Sequence, residues 1–237
     1  MSNQTQKVAV ITGASQGLGA GFVAAYRKLG YGVVATSRTI APANDADVVT
    51  VQGDIADPAT AERVIAAAIE RFGRVDTLIN NAGIFVAKPF TEYTADDYAT
   101  VIGVNLTGFF RITQLAIPHM LAQGGGHVVN ITTSLVDNAD SRVPATLASL
   151  TKGGLQSVTK GLAIEYATRG VRVNAVSPGT IKTPMHPDET HQVLAGLHPV
   201  GRMGEVSDIV DAVVYLENAP FVTGEILHVD GGMSAGH

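Results

Sequence analysis

The chain contains no cysteine. That removes disulfides, thiolate nucleophiles and thiolate metal sites together, and it fits a reducing compartment. There is no surplus of positive charge either: the net charge is −5, so electrostatics gives no ground to expect nucleic acid or an anionic membrane as partner. No run approaches the ~20 apolar residues of a membrane span. The polar opening Met1-Ser2-Asn3-Gln4-Thr5-Gln6 lacks the basic and apolar regions of a signal peptide. No Pro/Ser-rich linker, internal repeat or low-complexity segment divides the chain. These absences lead to the expectation of a cytoplasmic protein acting on a small molecule.

What is present is enough for one large core: 237 residues, 46% of them hydrophobic. Short Val- and Ile-rich runs at 8–11, 33–37, 48–52, 75–79, 127–131, 171–175 and 226–229 predict strands. Helical periodicity fills 18–29, 58–72, 95–123, 146–168 and 205–217. Strands apolar on both faces, alternating with helices, imply a parallel sheet covered on both sides. The expected fold is α/β, a doubly wound Rossmann-like three-layer sandwich around a seven-stranded parallel sheet, in one domain over 1–237. The long irregular stretch 178–203 suggests a substrate lid, centred on 182–203.

Val8-Ala9-Val10-Ile11 runs into Thr12-Gly13-Ala14-Ser15-Gln16-Gly17-Leu18-Gly19 and then into a helix. Gly13 permits a tight turn. Gly17 and Gly19 let backbone and helix N-terminus approach a pyrophosphate, where free N–H groups and the helix dipole favour negative charge. A glycine pattern alone describes many ordinary strand-to-helix turns; here strand, spacing and helix agree, which points to a nucleotide.

The spacing Gly-x-x-x-Gly-x-Gly after Thr12 resembles the short-chain dehydrogenase/reductase family, and the likeness continues along the chain. Asn80-Asn81-Ala82-Gly83 follows the fourth strand, and Asn105 lies mid-helix in Gly103-Val104-Asn105-Leu106. Asn130-Ile131-Thr132-Thr133-Ser134 ends the fifth strand, and Thr151-Lys152-Gly153-Gly154 lies in the helix beyond. Arg172 to Gly179, Phe221 to Glu225 and Val229-Asp230-Gly231-Gly232 complete the series. The resemblance implies an NAD(P)-dependent reductase, assembled as a homotetramer or homodimer through helices 95–123 and 146–168. It implies cofactor contacts from Gly13, Ser15, Gln16, Gly17, Leu18 and Gly19, and an adenine pocket lined by Asp54 and Ile55. Further contacts fall to Asn81, Ala82, Gly83 and Lys152, and after the sixth strand to Pro178, Gly179, Ile181 and Thr183.

An acidic residue about 20 positions past such glycines holds the ribose 2′-hydroxyl of NAD, whereas a basic one accommodates the 2′-phosphate of NADP. The second strand ends Ala35-Thr36-Ser37-Arg38-Thr39, without a carboxylate. Arg38 with Ser37 suits a phosphate, so NADP(H) is favoured over NAD(H), although Gln16 is neutral where many NADP-using relatives carry a base.

In the family a lysine holds the nicotinamide ribose, a serine orients the carbonyl, an asparagine serves a proton relay and a tyrosine is the general acid. Lys152 and Asn105 match by position. The family's usual spacing lands on Leu135, so the hydroxyl run contains an insertion; Ser134 is the preferred serine, with Thr133 as alternate. One helical turn before Lys152, on the same face, the tyrosine position holds Ala148. Leu150, replacing a small residue, suggests a repacked apolar pocket wall. Without an acid, an alkoxide product is disfavoured, whereas a protonated imine needs only a nearby anion. Asp137 and Asp140, after the fifth strand, are the candidate anions. His186, His191 and His198 match no metal motif, so no metal is expected; His186 is a candidate substrate contact and surrogate donor. Three readings follow: a reductase of imines or activated carbonyls, a non-catalytic NADP(H)-binding sensor or partner subunit, and a ketone reductase with an engineered Ala148.

Overall fold

The seven Val- and Ile-rich segments all form strands in the computed structural model, which describes residues 6–236; the N-terminal residues 1–5 and His237 lie outside the described residues. β1 (Val8–Thr12), β2 (Gly32–Ser37), β3 (Val48–Gln52), β4 (Thr77–Asn80), β5 (Gly126–Ile131), β6 (Val171–Pro178) and β7 (Ile226–Val229) make one sheet. Its order is β3-β2-β1-β4-β5-β6-β7 and every pairing is parallel. The order reverses between β1 and β4, which opens a crevice at the carboxyl ends of those strands.

The described helices are α1 (Gly17–Lys28), α2 (Pro58–Phe72), α3 (Ala95–Ile102), α4 (Phe109–Ala122), α5 (Thr146–Tyr166), α6 (His191–Ala195) and α7 (Val206–Asn218). Alternate strand residues feed two cores. Ala9, Ile11 and Val33 pack under Phe22 of α1 and Ile209 and Val213 of α7. Val8, Val10 and Val34 pack under Val64 of α2, Ile112 and Ala116 of α4 and Ala163 of α5. Each fully buried aliphatic side chain contributes roughly 1.5–3 kcal/mol of transfer free energy, which favours this layering over any register that turns one set outward.

The expected single helix over 95–123 is divided. α3 starts at a Thr94/Asp97 capping box, and a π-helical segment, Gly103–Gly108, joins it to α4. By length and mean hydropathy, 1.2, the combined run Ala95–Ala122 could cross a membrane, contrary to the expectation that no run comes close. Its apolar content is explained by the stripe Ile112, Ala116 and Met120 buried against the sheet.

The lid region is also more ordered than its sequence suggested. Ile181 bridges Gly204, a short turn spans Asp188–Thr190, and α6 follows. His198 is a buried strut: its Nδ1 donates to the Leu194 carbonyl at 3.0 Å, and its Nε2 accepts the Thr180 N–H at 2.9 Å.

At the opposite end of the sheet, Glu217 near the end of α7 accepts hydrogen bonds from Tyr26, Tyr31, Thr77 and His127 at 2.9–3.0 Å. The Asn174 amide donates to His127 Nε2 at 3.1 Å, while its Oδ1 accepts the Glu225 N–H. The ring is therefore neutral, with its one proton on Nδ1; burial holds its pKa below the ordinary value. Burial opposes the Glu217 charge too, but His127, Tyr31 and Tyr26 outweigh it and bring its pKa down to about 2.

Candidate active site

The cleft begins at the glycine loop. Gly13 and Gly17 adopt φ of 64° and 53°, conformations that disfavour a side chain. Gly19 has a different role: a Cβ there would lie 2.1 Å from the Gly13 carbonyl oxygen, so its absence lets α1 pack on the loop. Gly19 does not line the cleft. α1 has no side-chain N-cap bond and no acidic residue in its first turn. Its leading N–H groups are therefore left for an anion.

Thr12 and Asn81 fix this loop. The Thr12 hydroxyl donates to the Ile79 carbonyl and accepts from the Asn81 and Ala82 amides. The Asn81 amide donates to the Thr12 and Gly13 carbonyls at 2.9 and 3.1 Å. Asn81 borders the cleft, but its side-chain amide protons are spent on shaping the loop. Asn80 is buried and donates to Thr113 and Asn130.

Around these loops the carboxyl ends of the strands enclose a cleft of about 740 Å³, large enough for a cofactor and a small substrate. Ser15, Gln16, Leu18, Ser37, Arg38 and Asp54 border it towards β2 and β3, together with Ile55. Ala82, Gly83, Pro178, Gly179, Ile181 and Thr183 border it further along. The Arg38 guanidinium is exposed and has no side-chain partner among the described residues. The carboxylate of Asp54 accepts the Ala56 N–H. From the lid, Thr183 reaches the glycine loop, 3.3 Å from where a Gly17 Cβ would stand. Open helix N–H groups, a glycine cradle and a free guanidinium fit a dinucleotide phosphate.

At the other end, α5 presents Ala148 and Lys152 one turn apart on the cleft wall. Lys152 Nζ donates to the Ile131 carbonyl at 2.8 Å. A Cβ at position 83 would stand 2.9 Å from this amine, so glycine there lets the lysine end keep its place. The surrounding protein strips water from the ammonium and lowers its pKa to about 8. None of the six tyrosines lines the cleft. Tyr26 and Tyr31 serve Glu217, Tyr93 bonds the Val86 carbonyl, Tyr166 lies under Arg169, and Tyr98 and Tyr215 are exposed.

Asn105 is buried and does not border the cleft. Its amide donates to the Ile84 carbonyl and the Thr151 hydroxyl, and its Oδ1 accepts the Ile84 N–H. It thereby ties the chain after Gly83 to the helix that carries Lys152. Thr133 and Ser134 both border the cleft. Ser134 is buried, and its hydroxyl points to Met233 Sδ at 3.7 Å. The Thr133 hydroxyl accepts the Leu135 N–H at 3.4 Å, which leaves its proton for another acceptor.

Several expected roles are not met. Asp137 does not border the cleft; it pairs with Gln156 and His228 at 2.9 and 3.1 Å. Asp140 is outside the cleft as well and grips Arg142 at 2.9 Å. The loop after β5 commits both carboxylates to neighbours outside the cleft, Asp137 half-exposed and Asp140 largely buried. Leu150 is no pocket wall: it is 58% exposed on the outer face of α5. His186 does border the cleft, with Nδ1 on the Ile181 carbonyl at 2.8 Å.

The cleft's apolar lining includes Phe85, Leu135, Val143, Met185, Leu194 and Met233; of these, Phe85, Val143 and Met233 were not legible in the sequence. A signal existed for Met233. Gly231 and Gly232 turn the chain with φ of 62° and 93°, which brings Met233 back to the cleft, where its carbonyl accepts the Asn138 amide at 2.8 Å.

The sequence and fold are similar to those of known proteins. A family profile described as enoyl-(acyl carrier protein) reductase matches residues 13–234. The 2-(R)-hydroxypropyl-CoM dehydrogenase of Xanthobacter autotrophicus is 36% identical, covering 97% of this chain and 99% of that protein. The crystal structure of 3-ketoacyl-(acyl-carrier-protein) reductase from Brucella melitensis, complexed with NADH, superposes with a TM-score of 0.89 at 32% identity, over 96% of this chain and 98% of that one. ElxO with a tyrosine replaced by phenylalanine and NADPH bound gives a TM-score of 0.90 at 28% identity, over 98% of this chain and 100% of that one. The chain thus belongs to the short-chain dehydrogenase/reductase family and is an NAD(P)H-dependent reductase or dehydrogenase.

Proposed function

We propose that this protein is an NADPH-dependent reductase of an uncharged carbonyl compound. The observation that carries this reading is one uninterrupted cleft with an unpartnered Arg38 guanidinium at one end and Lys152 beside Ala148 at the other. The absence of a carboxylate at the end of β2, together with Arg38, favours a 2′-phosphate over a free ribose hydroxyl. When bound, the nicotinamide supplies the hydride. The chain's own part is to orient the acceptor carbonyl against Thr133, the hydroxyl whose proton is uncommitted, and to shelter it between Leu135, Val143 and Met233.

A cationic imine fits this end of the cleft less well. No carboxylate borders it near Ala148, Asp137 and Asp140 are engaged elsewhere, and the nearest charge is the Lys152 ammonium. An uncharged acceptor suits such a wall. Self-association in the manner expected of the family is supported by Phe110, Leu150 and Ile164, which stand 61%, 58% and 80% exposed on α4 and α5.

The test is a panel of uncharged ketones and aldehydes, with cyclic imines alongside, followed by consumption of NADPH and NADH. Reduction of carbonyls with at least tenfold higher kcat/KM for NADPH is expected. Tight NADPH binding without turnover of any acceptor would favour the sensor reading, and turnover of imines alone would contradict the carbonyl assignment.

A further inference from the structure

The carbonyl reading leaves one proton unaccounted for. Reduction adds a hydride to carbon and places negative charge on oxygen, so a donor must stand at the wall the oxygen faces. No tyrosine borders the cleft, and Ala148 offers only a methyl group. Among the described residues, the charged and titratable side chains lining the cleft are Arg38, Asp54, Lys152 and His186. Arg38 and Asp54 belong to the end formed by β2 and β3, the wrong end for the reacting carbonyl.

Lys152 is different in kind. It lies one turn from Ala148 on the same helix face, and the missing phenol leaves open space beside it. An ammonium has three N–H donors. One is spent on the Ile131 carbonyl of β5, and among the described residues no other side chain or carbonyl takes the remaining two, which leaves one for a substrate even if the nicotinamide ribose takes the other. Of the groups beside it, Gly83 has no side chain and the Asn105 amide is neutral and already satisfied; the hydroxyls of Thr133 and Ser134, which border the same cleft, do not titrate near neutrality. No carboxylate is among them to hold the proton in place.

Resting on the carbonyl reading, we propose that Lys152 is itself the proton donor of this enzyme, acting from the space beside Ala148. The balance is simple. The carbonyl carbon gains hydride from the reduced nicotinamide, which becomes oxidised. The carbonyl oxygen takes a proton from Lys152 Nζ, breaking one N–H bond and forming one O–H bond. The neutral amine then regains a proton from water through the open cleft. Until transfer, the ammonium also stabilises the charge growing on oxygen. Because the donor must be protonated, reduction falls as pH rises through the lysine pKa, about 8.

The experiment compares wild type, Lys152→Arg and His186→Gln as holoenzymes. It records NADPH affinity by fluorescence titration and kcat for a ketone from pH 6 to 10. A second readout, independent of turnover, is the Nζ resonance of labelled Lys152 in the NADP⁺ complex. Arginine keeps the charge but does not release its proton. Because Lys152 is also a cofactor contact, Lys152→Arg is expected to weaken NADPH binding by up to about tenfold, yet at saturating NADPH to lose roughly 10²-fold or more in kcat. The wild-type alkaline limb should coincide with the titration of the Lys152 resonance, and His186→Gln should keep it. Retention of kcat in Lys152→Arg, a lysine that stays charged through pH 10, or loss of the limb in His186→Gln would each overturn the proposal. If the wild type reduces no ketone at all, the carbonyl reading fails first and the proposal with it.

Discussion

At the scale of single residues, two side chains carry most of the chemistry argued here. Arg38 has no protein partner, so truncation should remove affinity without disturbing the fold. Arg38→Ala is expected to weaken NADPH binding by about tenfold or more, the size of a lost charge-assisted pair, while leaving NADH binding nearly unchanged in the same titration. Ala148 is the other. Ala148→Tyr returns a phenol one turn from Lys152 and should extend ketone reduction into the alkaline range, above pH 9, where the lysine has lost its proton; a rate profile from pH 7 to 10 shows whether it does. Both positions stand out in the sequence, Arg38 through its distance past the glycines and Ala148 through the family resemblance. Asp137 and Asp140 were not legible, because side-chain direction in the loop after β5 depends on Gln156, His228 and Arg142, partners that spacing does not encode.

At the scale of elements, the π-helical segment Gly103–Gly108 is the piece that sequence periodicity concealed. One residue too many in a turn barely disturbs an apolar stripe, so the run 95–123 reads as a continuous helix. The widened turn holds Asn105, which joins Ile84 to Thr151 and so sets the chain after Gly83 against the lysine helix; such local π geometry often accompanies functional sites. Asn105→Ala leaves the part-buried Ile84 N–H and the buried Thr151 hydroxyl without their partner and should cost about 1–3 kcal/mol in urea unfolding. It should also lower kcat more than it changes NADPH affinity, since the glycine loop is fixed independently by Thr12 and Asn81. The strands were readable because burial on both faces selects Val and Ile throughout. The lid was only half readable, since His198 organises it through backbone partners rather than through any repeating pattern.

At the scale of the whole molecule, the sheet separates two polar regions: the cleft at its carboxyl edge and the Glu217 network at the other. The network joins α1, α7, β4 and β5 through one carboxylate, and hydropathy gave no hint of it. Its folded pKa, about 2, lies below the ordinary 4.5. The unfolded chain therefore binds the proton first, and the stabilisation, complete above 4.5, is lost as pH falls towards 2. His127 adds a loss in the same direction below its ordinary 6.5, because the buried ring resists protonation. Unfolding free energy should fall through this range in wild type, and the fall between pH 4.5 and 2 should be shallower in Glu217→Gln. The exposed Phe110 and Ile164 make a second prediction: Phe110→Glu with Ile164→Glu should lower the mass measured by light scattering, without loss of helical signal. The central claim, that one cleft binds NADPH and passes its hydride to a carbonyl carbon, is tested most directly with NADPH deuterated at the nicotinamide C4, using a ketone and wild-type protein. The expected product is an alcohol carrying deuterium on its carbinol carbon from one C4 face only; NADPH that binds but never delivers deuterium to any acceptor would rule out hydride transfer in this cleft.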